Sequence, residues 1–563
     1  MSSPSSACNP CFMGLDLSTQ QLKVIVIDGQ QQIVYQDFVS FENHPVLAEK
    51  YHVKEGYHEH SDGQRFTSPT LMWVEALDIL LERMKLSQSD VFSISNIVAV
   101  SGSGQQHGSV YFRTGGQALL AALNPEKALC EQLSAADAFA VANSPIWMDS
   151  STKAQCRGLE EAVGGAETLA LATGSRAYPR FTGSQIAKIS QTEQDAYGDC
   201  DRVCLVSSFL CSLIFGAYAP IDYSDGSGMN LLNIHTRRWF SEALQYCGKD
   251  LEQKLGMSTA SYVPVGNISS YFVQRYAFSP GCQVFPCTGD NPSSLAGLRI
   301  RRGDVAVSLG SSDTVFLWMD EAKPGVRGHV FVNPVDADAY MGMLCYRNGS
   351  RTRELIRDDR VQLNGEVEKY PADVIASRWQ SEFTDHLLAT APGNGGKLGV
   401  YFLCEEIVPL AHCIKRVDAN DSTVHEAFDK AAEVRALVEG QFLAKRIHAK
   451  SLGYSFGAER RVLATGGASV NQAVLQVLSN VFNAPVYTLD VSESACLGAA
   501  YRALHGYKRK ANESLCFADA LGDPPSLNLV ASPDPNATAV YDSLVERYQR
   551  LEESAAREFQ ASA

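Results

Sequence analysis

The 563-residue chain reads as an α/β protein built from two related lobes. Three observations predict this. Short apolar runs bounded by small polar turns alternate with longer segments of helical period. The order strand, small polar turn, strand occurs near the N-terminus and again just after residue 300, as a degenerate internal repeat would. The length exceeds the usual ~100–200 residues of one domain.

Taken in order, Phe12–Leu17 and Leu22–Asp28 read as strands around the turn Ser18-Thr19-Gln20-Gln21. Leu71–Met84 has the period of an amphipathic helix, with Leu71, Val74, Leu77, Leu80 and Leu81 on one side. Ile97–Val100 is a buried-strand run ending in Ser101-Gly102-Ser103-Gly104. Thr152–Ala162 reads as a helix capped by Ser150 or Ser151. The uncharged stretch Val203–Ile221 holds three Ser, a Gly and a Pro and reads as a buried helix, not a membrane span. The pattern then restarts: Val305–Leu309, the turn Gly310-Ser311-Ser312-Asp313-Thr314, and Val315–Trp318. A helical pattern covers Val424–Ala449. Arg461–Thr465 is a buried strand broken by Gly466-Gly467, and Gln472–Val481 reads as a helix. Ser494–Leu504 is rich in small residues and suits close helix packing; residues 507–538 read as a surface excursion; a last amphipathic helix carries Tyr541, Leu544, Tyr548 and Leu551. The expected domains are residues 10–285 and 286–555.

Composition narrows the class. Apolar residues make up 45% and charged residues 20%, the balance of a soluble globular protein. A net charge of −15 argues against nucleic acid, which needs clustered positive charge to displace counterions. The 15 cysteines are an odd number, scattered through apolar runs, and read as free thiols of a reducing compartment. Cys8 and Cys11 form a CxxC match with no second pair at zinc spacing. MSSPSSACNPC has neither a basic start nor a long apolar run, so no signal peptide is expected and the location reads as cytoplasmic.

Six segments carry residue types suited to chemistry. Gly14-Leu15-Asp16-Leu17-Ser18-Thr19 is a tight turn whose backbone N–H groups suit an anion, with Asp16 placed for a nucleotide-bound Mg²⁺; an ordinary hairpin is the bland alternative. Leu309-Gly310-Ser311-Ser312-Asp313-Thr314 repeats that turn, and two such nests suggest one polyphosphate. There is no G-x-x-x-x-G-K-[ST], which excludes a P-loop. Thr465-Gly466-Gly467, after a buried strand, permits close backbone approach to a flat ligand, or else only helix packing. Thr288-Gly289-Asp290-Asn291-Pro292 offers a carboxylate and an amide for sugar hydroxyls, or else a helix N-cap. Ser101–Gly108 brings Gln106 and His107 to a strand end, where they suit a polyol. Gly174–Gly183 sets Arg176 and Arg180 beside aromatics, suited to a carbonyl or phosphate, though a surface arginine is the default.

Together these segments resemble the FGGY carbohydrate kinases, and among them the eukaryotic xylulose kinases. GLDLSTQQLKVIVID, SGSGQQHGSVYF, SPIWMDSST, GSRAYPRFTGSQIAKI, DYSDGSGMNLL, CTGDNPSSLAGL, SLGSSDTVFLW and ATGGASVNQAVLQVLSNVF occur in order from about Phe12 to Gly506. The resemblance implies two ribonuclease-H-like domains of the actin/hexokinase superfamily, with sugar and ATP in a cleft between them. It implies a sugar-binding first domain, an ATP-binding second domain and phosphorylation of D-xylulose at its terminal hydroxyl. Asp290 would be the general base. His107, Arg180, Asp290 and Asn291 would hold the ketose. Ser18, Thr19, Ser311, Ser312, Trp379, Gly466, Gly467 and Asn471 would hold ATP, and Asp16 would serve the Mg²⁺ site. The implied partners are the sugar and ATP alone, with no nucleic acid and no membrane, in a monomer or homodimer. Ribulose, glycerol and gluconate kinases stay open as alternatives, as does a non-catalytic ATP-binding switch of the actin or heat-shock type.

Overall fold

The computed structural model describes residues 9–89, 91–360, 371–489, 493–522 and 527–562. The chain divides into two compact units. One comprises Met1–Arg299, Phe331–Ala339 and Val491–Pro524; the other comprises Ile300–Val330, Tyr340–Asp490 and Pro525–Ala563.

In the first unit, Cys11–Leu17 and Gln21–Ile27 form a hairpin, as the two apolar runs predict, and Ile33–Ser40 adds to it antiparallel. On its other side Cys11–Leu17 runs parallel to Ile97–Gly104, which in turn runs parallel to Gln283–Val284. The seven Cys11–Leu17 residues are all buried, because both faces of this strand are covered. One cover is the Thr70–Leu86 helix, whose Met72, Trp73, Leu77 and Leu80 join the core. The other is the Ser494–Arg509 helix. A Cβ on Gly14 would stand 2.2 Å from the Cys496 carbonyl oxygen, so only glycine admits this approach. The same helix meets Asp290–Gly297 through glycines, and a Cβ on Gly498 would lie 1.9 Å from Ser293 O.

The second unit repeats the arrangement. Val305–Leu309 and Asp313–Met319 form a hairpin, and Tyr340–Tyr346 pairs antiparallel with its second strand. Val305–Leu309 runs parallel to Val462–Thr465, which runs parallel to Val486–Thr488. The internal repeat is therefore real: each unit has three antiparallel strands followed by two parallel ones. Beneath the second hairpin lies a buried ion cluster. Asp313 accepts from Arg353 through both oxygens at 3.0 and 3.1 Å, and Lys445 lies 2.9 Å from its Oδ2. All three side chains are at most 1% exposed.

Several boundaries differ from expectation for physical reasons. The Lys153–Ala162 helix is preceded by Thr152, whose hydroxyl donates to Pro179 O, while Ser151 donates to Asp149; neither serine caps the helix. Val203–Leu205 ends a strand, and the buried helix is Val206–Phe215. The long helix is Lys430–Ser451, because Asp429 accepts from Ala432 N and starts it there; Thr423–Val424 is a short strand instead. Within the expected surface excursion the helix runs on to Arg509, Phe517–Leu521 is helical, and Asn528–Ala531 pairs with Val486–Thr488. The described cysteines are free thiols, most of them buried; Cys8 of the CxxC match lies outside the described residues. Among the described residues no helix is long and apolar enough to cross a membrane.

Candidate active site

In the first unit the expected residues converge at the C-terminal ends of parallel strands, where α/β sheets commonly bind ligands. Asp16 is next to last in Cys11–Leu17 and lies beside Ser103 of Ile97–Gly104. Its carboxylate accepts from Ser18 Oγ at 2.5 Å and from Ser103 Oγ at 2.7 Å. Thr288–Gly289 pairs with Ser103–Gly104, which delivers Asp290 to the same strand end as the first residue of a helix. Asp290 Oδ1 accepts from the Asn291 N–H at 2.8 Å and from the Asn291 side-chain amide at 3.1 Å. That amide also donates to Gln106 Oε1 at 2.9 Å, tying the QQHG and TGDN segments together.

The electrostatics arise from this crowding. Desolvation first, and the neighbouring Asp16 charge second, push the Asp290 carboxyl up to about 7. Burial likewise raises Asp16, against the opposing bonds from Ser18 and Ser103. His107 holds a left-handed backbone (φ 69°), a conformation that costs ~1 kcal/mol or more and gathers at functional sites. Its ring stacks on Phe181 at 4.3 Å, and Nδ1 lies 2.9 Å from Gly228 O. A carbonyl only accepts, so Nδ1 carries the proton. Burial, and then the Arg180 charge, pull the ring down to about 3, which leaves Nε2 a neutral acceptor. Arg180 lies over the rings of Tyr178 and Phe181 at 5.1 and 5.7 Å. Arg176, by contrast, pairs with Glu160 at 3.2 Å and is a surface residue of the ordinary kind.

Thr19 takes a bond from Trp147 Nε1 at 2.9 Å, and Ser18 is already bound to Asp16. The DYSDGSGMNLL run holds two residues for which sequence reasoning gave no role. Asp222 accepts from Thr288 Oγ1, from Ser261 Oγ at 3.0 Å and from two backbone N–H groups, and so anchors the segment that carries Asp290. Asp225 accepts from Ser207 at 2.5 Å, and burial, reinforced by Asp222 and Asp290 against that bond, pushes it up to about 8. Two aspartates three apart in an otherwise small-residue run were the available signal.

In the second unit Gly310, Ser311 and Ser312 form the tip of the hairpin, with both serines exposed. Gly466 has φ 83°, and a Cβ there would come within 2.8 Å of the Leu309 backbone, so the two turns touch. Asn471 starts the Gln472–Phe482 helix by accepting from Val474 N at 3.1 Å, and its amide donates to Thr384 Oγ1 at 2.9 Å. Thr384 in turn donates to Trp379 O at 2.9 Å, which brings Trp379 and Asn471 together.

The donor set suits a hard cation. Asp16 and Asp290 concentrate carboxylate oxygens at one strand end, and oxygen ligands with substrate phosphates are what Mg²⁺ takes. Among the described residues no cluster of three acidic, histidine or cysteine side chains could hold a metal without such help.

Comparison with known proteins gives the family. Residues 135–297 match the N-terminal domain of the FGGY family of carbohydrate kinases, and residues 305–507 match its C-terminal domain. The chain is 49% identical over 543 residues to the xylulose kinase of Rattus norvegicus, covering 96% of each. It is 42% identical over 562 residues to xylulose kinase 2 of Arabidopsis thaliana, again covering 96% of each. Its fold matches the crystal structure of a xylulose kinase from Rhodospirillum rubrum with TM-score 0.76 at 15% identity, over 98% of this chain and 100% of that one. It matches a gluconate kinase from Lactobacillus acidophilus almost as well, at TM-score 0.74 and 17% identity, over 99% and 100%. The chain belongs to the FGGY family of carbohydrate kinases and is a carbohydrate kinase of two α/β domains.

Proposed function

We propose that this enzyme transfers the γ-phosphate of ATP to the terminal hydroxyl of D-xylulose, giving D-xylulose 5-phosphate. Fold likeness alone does not separate xylulose from gluconate. What favours the ketose is the identity to relatives named xylulose kinases. The observation that carries the reading is the Asp290–Asn291–Gln106 string beside a neutral His107.

Asp290 is the general base. Its carboxyl, lifted to about 7, is basic enough to take the proton of a sugar hydroxyl and still half-ionised near neutrality. His107 Nε2 accepts a hydrogen bond from one hydroxyl of the ketose and Asn291 Oδ1, whose NH₂ protons go to Asp290 and Gln106, accepts from another, while Arg180 donates to a third. The sugar is thereby turned so that its end oxygen meets Asp290. Ser311 and Ser312 take the phosphates; Gly466, Gly467, Asn471 and Trp379 take the nucleoside. Asp16 would hold Mg²⁺, which supplies charge neutralisation on the phosphates when bound. Phosphoryl transfer asks mainly for positioning and electrostatic stabilisation, which this division of labour provides.

The test is ADP release from Mg-ATP with D-xylulose, ribulose, glycerol, gluconate and fructose. D-xylulose should give the highest kcat/KM by at least about tenfold, the scale of a lost hydrogen bond to a substrate hydroxyl. Preference for another polyol would replace the substrate assignment, and turnover of none would overturn the reading.

A further inference from the structure

Trp379 ends the Ala372–Trp379 helix, and the chain continues as a single π-helical turn, Gln380–Thr384, before Asp385–Leu388. A π turn closes its bonds over five residues, takes in one extra residue and rotates the succeeding residues out of α register; such turns gather at functional sites. Here the rotation places the Thr384 hydroxyl between two groups. It lies 2.9 Å from Trp379 O and 2.9 Å from Asn471 Nδ2. The carbonyl can only accept, so the hydroxyl proton goes to Trp379 O and the oxygen receives the Asn471 amide. Asn471 Oδ1 is already committed to Val474 N, which fixes that amide at both ends.

The Trp379 ring is braced as well. The Arg357 guanidinium lies 4.6 Å from its centroid, and the buried Phe383 meets it edge-on at 5.0 Å. Arg357 is itself forked onto Asp358 at 2.8 and 2.9 Å, and Asp358 also takes Arg378. Asp373, Val374, Ala376 and Ser377 of the same helix are exposed. A core does not require so many restraints on one side chain of an otherwise solvated helix.

We propose that Thr384 is a positioning residue for the nucleotide, holding the Trp379 ring and the Asn471 amide in one register on a base of Arg357. The inference rests on the reading of Trp379 and Asn471 as nucleotide-binding residues. An adenine nucleotide then meets an indole face and an amide already set at a fixed distance, so little ordering remains on binding.

Calorimetric titration of the full-length protein with ADP and Mg²⁺ tests it, alongside steady-state KM values. Thr384→Val keeps the shape and removes the hydroxyl; Thr384→Ser keeps the hydroxyl. The valine variant should raise the ADP Kd and the ATP KM by about three- to tenfold, the net worth of a hydrogen bond, with the sugar KM unchanged and thermal unfolding close to that of the serine variant. The serine variant should restore binding. If Trp379→Ala and Asn471→Ala weaken ADP binding while Thr384→Val does not, the role of Thr384 falls and the nucleotide site stands. If none of the three substitutions weakens ADP binding, the site reading falls and takes the inference with it. A weakening equal for ADP and sugar would show a general loss of structure and overturn the positioning role.

Discussion

The Asn291 amide donates both to Asp290 Oδ1 and to Gln106 Oε1, at 3.1 and 2.9 Å. One side chain thus joins the carboxylate of a helix start to the end of a parallel strand some 185 residues away in sequence. Asp290 is held in its orientation from a neighbouring element and not by its own turn alone.

Replacing Asp290 by Asn should cut kcat by at least about 10²-fold, on the scale of general acid–base effects, with the substrate KM changed far less. Steady-state kinetics with D-xylulose check this. A variant turning over at the wild-type rate would remove Asp290 from the role of base.

The pH dependence is set by the same group. Its carboxyl value in the fold is about 7, above the ordinary 3.8. The base works ionised, so kcat/KM should rise with pH through about 7, and the rise should vanish in Asp290→Asn. Stability has the opposite sign. A carboxyl raised in the fold favours the protonated native state, a gain complete below about pH 4 and lost as pH rises through about 7. Asp290→Asn should therefore raise Tm at pH 8 and leave it nearly unchanged at pH 4, read by thermal melts at both.

His107 should add no limb to that profile, because burial holds it near 3. His107→Ala should raise the sugar KM by about tenfold or more, the cost of a lost substrate hydroxyl acceptor, without changing the ATP KM. An ATP KM that rose in step would place His107 elsewhere in the cycle.

Asp313→Asn should destabilise the second unit by about 3–5 kcal/mol, because Arg353 and Lys445 would be left buried without their anion. Burial alone would raise Asp313, but Arg353 and then Lys445 outweigh it and hold the carboxyl below its usual range. Its contribution is present above the ordinary carboxylate value and lost as pH falls through the folded one. Urea unfolding at pH 7 and pH 3 separates the wild type from the variant at the first and narrows the gap at the second.

Much of this was legible in the chain. The two hairpins, the Gln472–Phe482 helix and the QQHG strand end come from apolar periodicity and turn chemistry, which are local. The Asn291–Gln106 bond, the Thr384 bridge and the Asp222 anchor were not, because each depends on contacts between residues far apart in sequence. The start of the Lys430–Ser451 helix was misplaced because Phe428 continues the helical period by chance, while the cap at Asp429 decides the boundary.

The Ser494–Arg509 helix follows the Val486–Thr488 strand of the second unit in sequence yet covers the Cys11–Leu17 strand, and its Arg502 donates to Gly102 O and Pro286 O. On a translating ribosome, then, the earliest part of the polypeptide waits for residues near 500 before its central sheet is sealed. A product truncated near residue 300 would carry an open apolar surface around Gly14, fit for aggregation or capture by a chaperone. Synthesis of this enzyme is closer to an all-or-nothing commitment than its two-unit architecture suggests.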